Sequence, residues 1–308
     1  MRVLLALDPG YLCTRIAIVS EGSREVREAP AGADPFAAAE ALARRRASVV
    51  VLPGGPPADL YPWHPRNVAI TRAKAYCEES GIPLVVARPD GEAVLPPRAR
   101  LSGFRGCLRQ PTCYGVPEVL ACETAARSIG VAPETAKIVV AYLGEEVSVS
   151  ARQGGALVDS SDPVACEGPF GLTSCGTAPA TAFVSYASSS AMAVPELRDR
   201  LKRRSGAFGL AGVNSLAELR EELASGSEEA RGAVEAMAYQ VAKEIGRQLS
   251  AFSGKVDCVC LCGAATSISL LVQGIEDRVQ KWTRLVVLRD DLVIRALELE
   301  GWRALSTK

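Results

Sequence analysis

The chain has 308 residues, 48% hydrophobic and 23% charged, with 35 basic residues against 35 acidic ones. This length makes one large domain or two moderate ones, and zero formal net charge argues against a nucleic-acid binder, which needs a clustered basic excess. No apolar run approaches the ~20 residues of a bilayer span, and the opening residues reach Asp8 too early for a signal peptide, so a cytoplasmic protein without membrane or nucleic-acid partners is expected.

The run from Arg2 to Leu7 reads as a strand stopped by Asp8-Pro9-Gly10, with Ile16 to Val19 as its hairpin partner. Residues 37–46 read as an Ala-rich helix ending in Arg44-Arg45-Arg46, a short basic run at an exposed helix end. Ala47 to Leu52 is a buried strand broken by Pro53-Gly54-Gly55, then come a helix over Asn67 to Ser80 and a strand over Ile82 to Ala87. Such alternation indicates an α/β sheet. Pro89 to Tyr114 is a long Pro/Gly/Arg loop, and Pro117 to Ile129 is again helical.

A second cycle opens at Lys137, with a strand to Leu143, a break at Gly144 and a hairpin over Val147 to Val158 around Gly154-Gly155. A loop follows from Ser160 to Ala180. The clearest helix covers Glu228 to Phe252, with Val234, Met237, Val241, Ile245 and Leu249 at three-to-four spacing, and Ser225 with Glu228 as its capping box. Lys255 to Cys262 is a buried strand ending at Gly263. Two similar halves, each opened by a hairpin with a glycine turn, imply a duplicated two-domain α/β architecture with an interdomain cleft. The expected domains are 1–133 and 134–291, with 292–308 packing back on the first.

None of the ten cysteines forms a C-x-x-C pair. Cys258, Cys260 and Cys262 alternate along one strand and share a face; three thiols in line do not make a tetrahedral metal site, so they read as small hydrophobes in a reduced compartment.

Three stretches carry a family resemblance: Asp159-Ser160-Ser161-Asp162-Pro163 leading to Glu167-Gly168-Pro169-Phe170 and Cys175-Gly176-Thr177; the helix from Glu235 to Gly246; and Lys255-Val256-Asp257 with the Leu261-Cys262-Gly263 turn. Together they resemble butyrate kinase, in the acetate kinase branch of the sugar kinase/actin/chaperone (ASKHA) superfamily. The resemblance runs from the opening strand to about Glu300. It implies a duplicated actin-like, ribonuclease H-like fold holding nucleotide in the cleft. The implied reaction is ATP plus a short-chain carboxylate giving acyl phosphate and ADP, with Mg²⁺, in a homo-oligomer. Phosphoryl transfer of this kind asks a protein for positioning and charge neutralisation.

Set beside the family's motifs, the chain keeps its turns and changes their chemistry. The first phosphate turn, Asn-Pro-Gly-Ser-Thr-Ser-Thr-Lys in the family, is Asp8-Pro9-Gly10-Tyr11-Leu12-Cys13-Thr14-Arg15: Gly10, Thr14 and the charge of Arg15 are kept, while Tyr11 adds bulk. The second turn retains Gly144 but places Glu145 and Glu146 where phosphate oxygens should be cradled, and the adenosine turn keeps Gly263. Ser174 stands for the arginine after Gly168-Pro169-Phe170, Pro53 for the Gly-Arg-Gly-Gly arginine, Arg88 for an aspartate and Tyr114 for a histidine. His64-Pro65-Arg66-Asn67 and Arg100 persist, and Asp290 or Asp291 corresponds to the C-terminal acid that assists Mg²⁺.

The resemblance therefore assigns Asp8, His64 and Arg100 as catalytic residues; Gly10, Thr14, Arg15, Asn67, Gly144, Gly176 and Gly263 as nucleotide-binding; and Asp8 with Asp291 as metal ligands. Plainer readings stand beside these. Asp8 is equally an Asx turn cap, His64 a structural residue, Arg88 and Arg100 surface cations, and Glu145 and Glu146 solvated turn residues rather than cation ligands. Fold-determining residues are kept while chemistry-determining ones are replaced. The leading expectation is a non-catalytic paralogue that binds a nucleotide, a short-chain acyl compound or a protein partner. The alternatives are an active, diverged carboxylate kinase using Asp8, Arg15, Arg88 and Arg100, and a structural oligomer whose cleft has closed.

Overall fold

The computed structural model describes residues 2–30, 33, 36, 47–87, 95–110, 112 and 114–306. The expected helix over 37–46 and Arg88 lie outside the described residues.

Two five-stranded sheets repeat one topology. In the first, β1 (Val3–Pro9), β2 (Cys13–Ser20), β3 (Ser23–Pro30), β4 (Val49–Pro53) and β5 (Leu84–Ala87) take the order β3-β2-β1-β4-β5. In the second, β6 (Lys137–Leu143), β7 (Val147–Gln153), β8 (Ala156–Ser160), β9 (Cys258–Cys262) and β10 (Arg284–Val287) take the order β10-β9-β6-β7-β8, the same pattern counted from the other edge. In each, three antiparallel strands joined by hairpins continue into two parallel strands. This repeat is the duplicated actin-like (ASKHA) fold.

Central strands are apolar on both faces because helices cover both sides. Leu5, Leu7, Val50 and Leu52 pack with Ala69, Ala73 and Cys77 of α1 (Pro65–Ser80). Successive side chains of β1 point to opposite faces, and on the other face Leu4 and Val51 meet α10 (Leu292–Ser306) so closely that a Cβ on Gly301 would lie 2.1 Å from Leu4. β3 shows no strand pattern in the sequence. Its Arg24, Glu25, Arg27 and Glu28 mask the strand pattern, as charge on an edge strand does when it blocks further pairing.

The described residues divide into two compact units, those within 1–92, 115–117 and 291–308 and those within 93–114 and 118–290. Within the second unit, Glu118 of α3 (Gly115–Ser128) is bound by Ser148, Ser150 and Arg152 of β7, which ties that helix to the second sheet. The second unit also holds α2 (Pro97–Arg100), α4 (Ala180–Ser190), α5 (Val194–Arg203), α6 (Gly206–Ala211), α7 (Leu216–Ser225), α8 (Glu228–Leu249) and α9 (Ser269–Val279).

The capping box expected from Ser225 and Glu228 is corrected. Ser225 closes α7, and Ser227 caps α8 by accepting from the Ala230 N–H. A reciprocal cap does form one helix earlier, where the N-cap Ser215 accepts from Glu218 N–H and the Glu218 carboxylate accepts from the N–H of the preceding residue, Asn214. Among the described residues no helix is long and apolar enough to cross a membrane.

Candidate functional site

In the first unit the β1–β2 hairpin sets Asp8 directly opposite Arg15. Arg15 donates to Asp8 through Nε at 3.0 Å and through Nη2, and its Nη1 donates to Asp291 at 2.9 Å. Asp291 immediately precedes α10 and its other oxygen accepts from Ile294 N–H at 3.3 Å, so one carboxylate caps a helix and binds the guanidinium. Three expected site residues thus meet, but not as a metal centre. The cation between Asp8 and Asp291 is Arg15 itself, and a divalent ion bound by that pair would have to displace it. The donor set as it stands does not fit Mg²⁺.

His64 is the N-cap of α1. Its Nδ1 accepts from the Arg66 N–H at 3.2 Å, Pro65 occupies the first helical position, and Gly81 closes the far end in a left-handed conformation. The ring is buried and meets Tyr11 edge-on, with centroids 5.5 Å apart. Asn67 is also buried; its amide donates to Pro56 O at 3.0 Å and Tyr61 O at 2.8 Å. Its Oδ1 lies where a Cβ on Gly55 would fall, only 1.9 Å away, so the glycine of the Pro53-Gly54-Gly55 turn is required by Asn67. The persisting His-x-x-Asn motif therefore organises a loop and a helix start. Gly10 donates its N–H to Cys13 O at 2.9 Å, closing the first turn on itself, and Thr14 lies beside it in β2, opposite Pro9.

In the second unit, Gly144 and Gly263 follow the adjacent parallel strands β6 and β9. Gly263 has φ +98°, and a Cβ there would lie 2.4 Å from Leu143 O, so only glycine fits. The Gly144 N–H donates to Glu146 O at 3.1 Å. The Tyr142 ring, stacked on Tyr114 at 4.3 Å, lies so near that a Cβ on Gly144 would fall 2.8 Å from it. The carbonyls of the turn are taken as well: Gly144 O accepts from Leu172 N–H at 2.9 Å, and Glu145 O from Thr173 and Ser174 N–H at 3.0 and 3.2 Å. Gly176, with φ +59°, packs on the backbone of Gly168 to Phe170. Arg100 ends the one-turn helix α2, where its carbonyl accepts from Arg109 N–H at 2.9 Å.

Glu146 is not a solvated turn residue. It is fully buried, accepts from Lys202 Nζ at 2.7 Å and from the Tyr114 hydroxyl at 3.2 Å. Lys202, itself buried, is raised above its ordinary pKa: burial is the largest single influence and opposes its charge, but Glu146 and Cys166 together outweigh it. Nothing in the sequence marked Lys202, which sits in α5 among Arg198, Arg200 and Arg203 and reads as part of a solvated basic face.

Two sheets of this topology place the chain in the actin-like fold class. The particular assignment comes from its relatives. The profile of the Acetokinase family matches residues 107–287. A probable butyrate kinase of Thermotoga petrophila is 30% identical over 242 residues, covering 79% of this chain and 67% of that protein. A probable butyrate kinase of Maridesulfovibrio salexigens is 26% identical over 319 residues, covering 89% and 88%. Among solved structures, a propionate kinase from Francisella tularensis superposes with TM-score 0.78 at 16% identity over 98% of this chain and 100% of that one. The acetate kinase of Porphyromonas gingivalis gives 0.72 at 15% identity over 99% and 100%. The chain belongs to the acetokinase family of carboxylate kinases and within it resembles the butyrate kinases. Members of that family in general use ATP and Mg²⁺.

Proposed function

We propose that this chain is a non-catalytic acetokinase: a cytoplasmic homo-oligomer that binds a nucleotide or a short-chain acyl compound without transferring a phosphoryl group at a family rate. The observation that carries this reading is the second turn. Its Gly144 N–H is already donated to Glu146 O, and the Tyr142 ring lies against the glycine where a phosphate would have to approach. The first turn supports it in the same way, through the Gly10 N–H bond to Cys13 O and the buried Tyr11 ring. One missing charge-stabilising donor costs about 2.7–4 kcal/mol, or roughly 10²–10³ in rate. This chain has Ser174 and Pro53 at two such positions and has committed Arg15 to Asp8 and Asp291.

The test is incubation of purified protein with MgATP and C2–C6 carboxylates, with acyl phosphate trapped as hydroxamate and an authentic butyrate kinase alongside. No hydroxamate above the blank is expected, together with a rise in melting temperature on adding ADP or an acyl phosphate. Product that scales with protein and disappears in Asp8→Ala would overturn the reading in favour of an active, diverged kinase. Silence in both assays would remove the ligand-binding half of the proposal.

A further inference from the structure

The Glu146–Lys202 pair of the second unit is arranged like a ligand in its site. Glu146 lies in the turn between β6 and β7 with no exposed side-chain surface, and Lys202 of α5 is 3% exposed. Both carboxylate oxygens are bound: Oε1 accepts from Lys202 Nζ at 2.7 Å and Oε2 from the Tyr114 hydroxyl at 3.2 Å. The two donors are held by other contacts as well. Lys202 Nζ also donates to Pro163 O at 2.5 Å, and Lys202 O accepts from Thr173 Oγ1 at 2.8 Å. The Tyr114 ring is stacked on Tyr142, and the Tyr114 N–H donates to Ser148 Oγ at 3.4 Å.

The backbone of Glu146 is fixed without help from its side chain. Glu146 O accepts from Gly144 N–H at 3.1 Å, and Glu145 O accepts from Thr173 N–H at 3.0 Å. Gly171 packs so tightly here that a Cβ on it would lie 2.8 Å from Glu146 Cα. The neighbouring carboxylate, Asp162, is committed elsewhere: its Oδ1 accepts from the Thr112 hydroxyl and from Ala165 N–H at 3.0 Å.

From this geometry we infer that Lys202 and Tyr114 form a binding site for a carboxylate of formate or acetate size, which the chain fills with its own Glu146. Beyond Cβ a glutamate side chain is one methylene and one carboxylate, the heavy-atom frame of acetate. Tethering gives that group a high effective concentration, so free carboxylates do not compete for the site in the wild type. The same contact ties the turn after Gly144 to α5 and Tyr114 and helps to keep it closed. Truncation to alanine would leave the Lys202 ammonium buried without its counter-ion, an unfavourable state that uptake of a small anion relieves. The vacated space has room for about two carbons, which excludes longer acids. The inference does not depend on whether the chain binds nucleotide or transfers phosphoryl groups.

The test compares the full-length wild type with Glu146→Ala, using labelled acetate in equilibrium dialysis and thermal melts in sodium formate, acetate, butyrate and chloride at equal ionic strength. Glu146→Ala should bind one equivalent of acetate more than wild type. Its melting temperature should rise by about 2 °C at ~10-fold excess of acetate over the dissociation constant, with formate acting similarly and butyrate no better than chloride. Adding Tyr114→Phe should weaken acetate several-fold, and adding Lys202→Met should abolish the extra equivalent. Glu146→Gln, whose amide fills the same space, should bind no extra acetate. Equal stabilisation by chloride, or by butyrate, would overturn the proposal. So would the absence of the extra equivalent, or a Glu146→Ala chain that fails to fold in acetate as well as in chloride.

Discussion

The two units share strand order yet carry charge in opposite ways. In the first, Asp8, Arg15 and Asp291 form their network at the rim of the sheet, with side chains 12%, 25% and 33% exposed. In the second, Arg152 pairs with Glu118 and Lys202 with Glu146 in the interior, every one of these side chains at most 3% exposed. One topology thus supports either a purely apolar core, as around Leu5, Leu7 and Val50, or one threaded by ion pairs. Strand order decides where a side chain sits. It does not decide whether that place is wet, and that determines what the same charge is worth.

The sharpest way to break this comparison is Lys202→Met. It leaves Glu146 buried and uncompensated, and loss of one partner of a buried pair typically costs about 3–5 kcal/mol; urea denaturation should report a loss of this size. The double variant Lys202→Met/Glu146→Gln should recover much of it. Because Lys202 is raised in the folded protein, the pair's contribution is complete below the lysine's ordinary value of 10.5 and is lost as pH climbs through the higher folded value. Alkaline titration should therefore destabilise wild type and leave the double variant less affected.

A smaller effect is expected in the first unit at His64. His64→Ala removes the cap of α1 and should cost about 1 kcal/mol, whereas His64→Asn, which restores a capping acceptor, should recover most of that. Equal losses in both variants would show that the cap is not what His64 provides. The smallest change is Arg15→Gln. Its partly exposed pairs are screened by solvent, so about 0–1 kcal/mol is expected, decreasing further with added salt. A loss as large as that of Lys202→Met would erase the distinction between the units.

Much of the fold was legible because it depends on local pattern. β1, β4 and β6 are short apolar runs, and the glycine turns, the long α8 helix and the repeat of hairpin and crossover follow from spacing alone. β3 was hidden by its alternating charge, and α4 to α7, over 180–225, carry too few buried positions to show a clean stripe. The site was less legible. Asp8 and Arg15 could be paired from the hairpin register, but Asp291 reaches Arg15 across 276 positions. His64 and Asn67 matched a family motif, yet their bonds go to the backbone of their own helix and loop.

By itself the sequence determined most of the strands, the turns and the family, because burial periodicity and backbone conformation are properties of neighbouring residues. Only the tertiary structure decided what the polar residues do. It turned Glu146 from a turn residue into half of a buried pair and put Arg15 where a metal was expected. Charge and hydrogen bonding depend on distance and on the exclusion of water, and both arise only when remote segments meet.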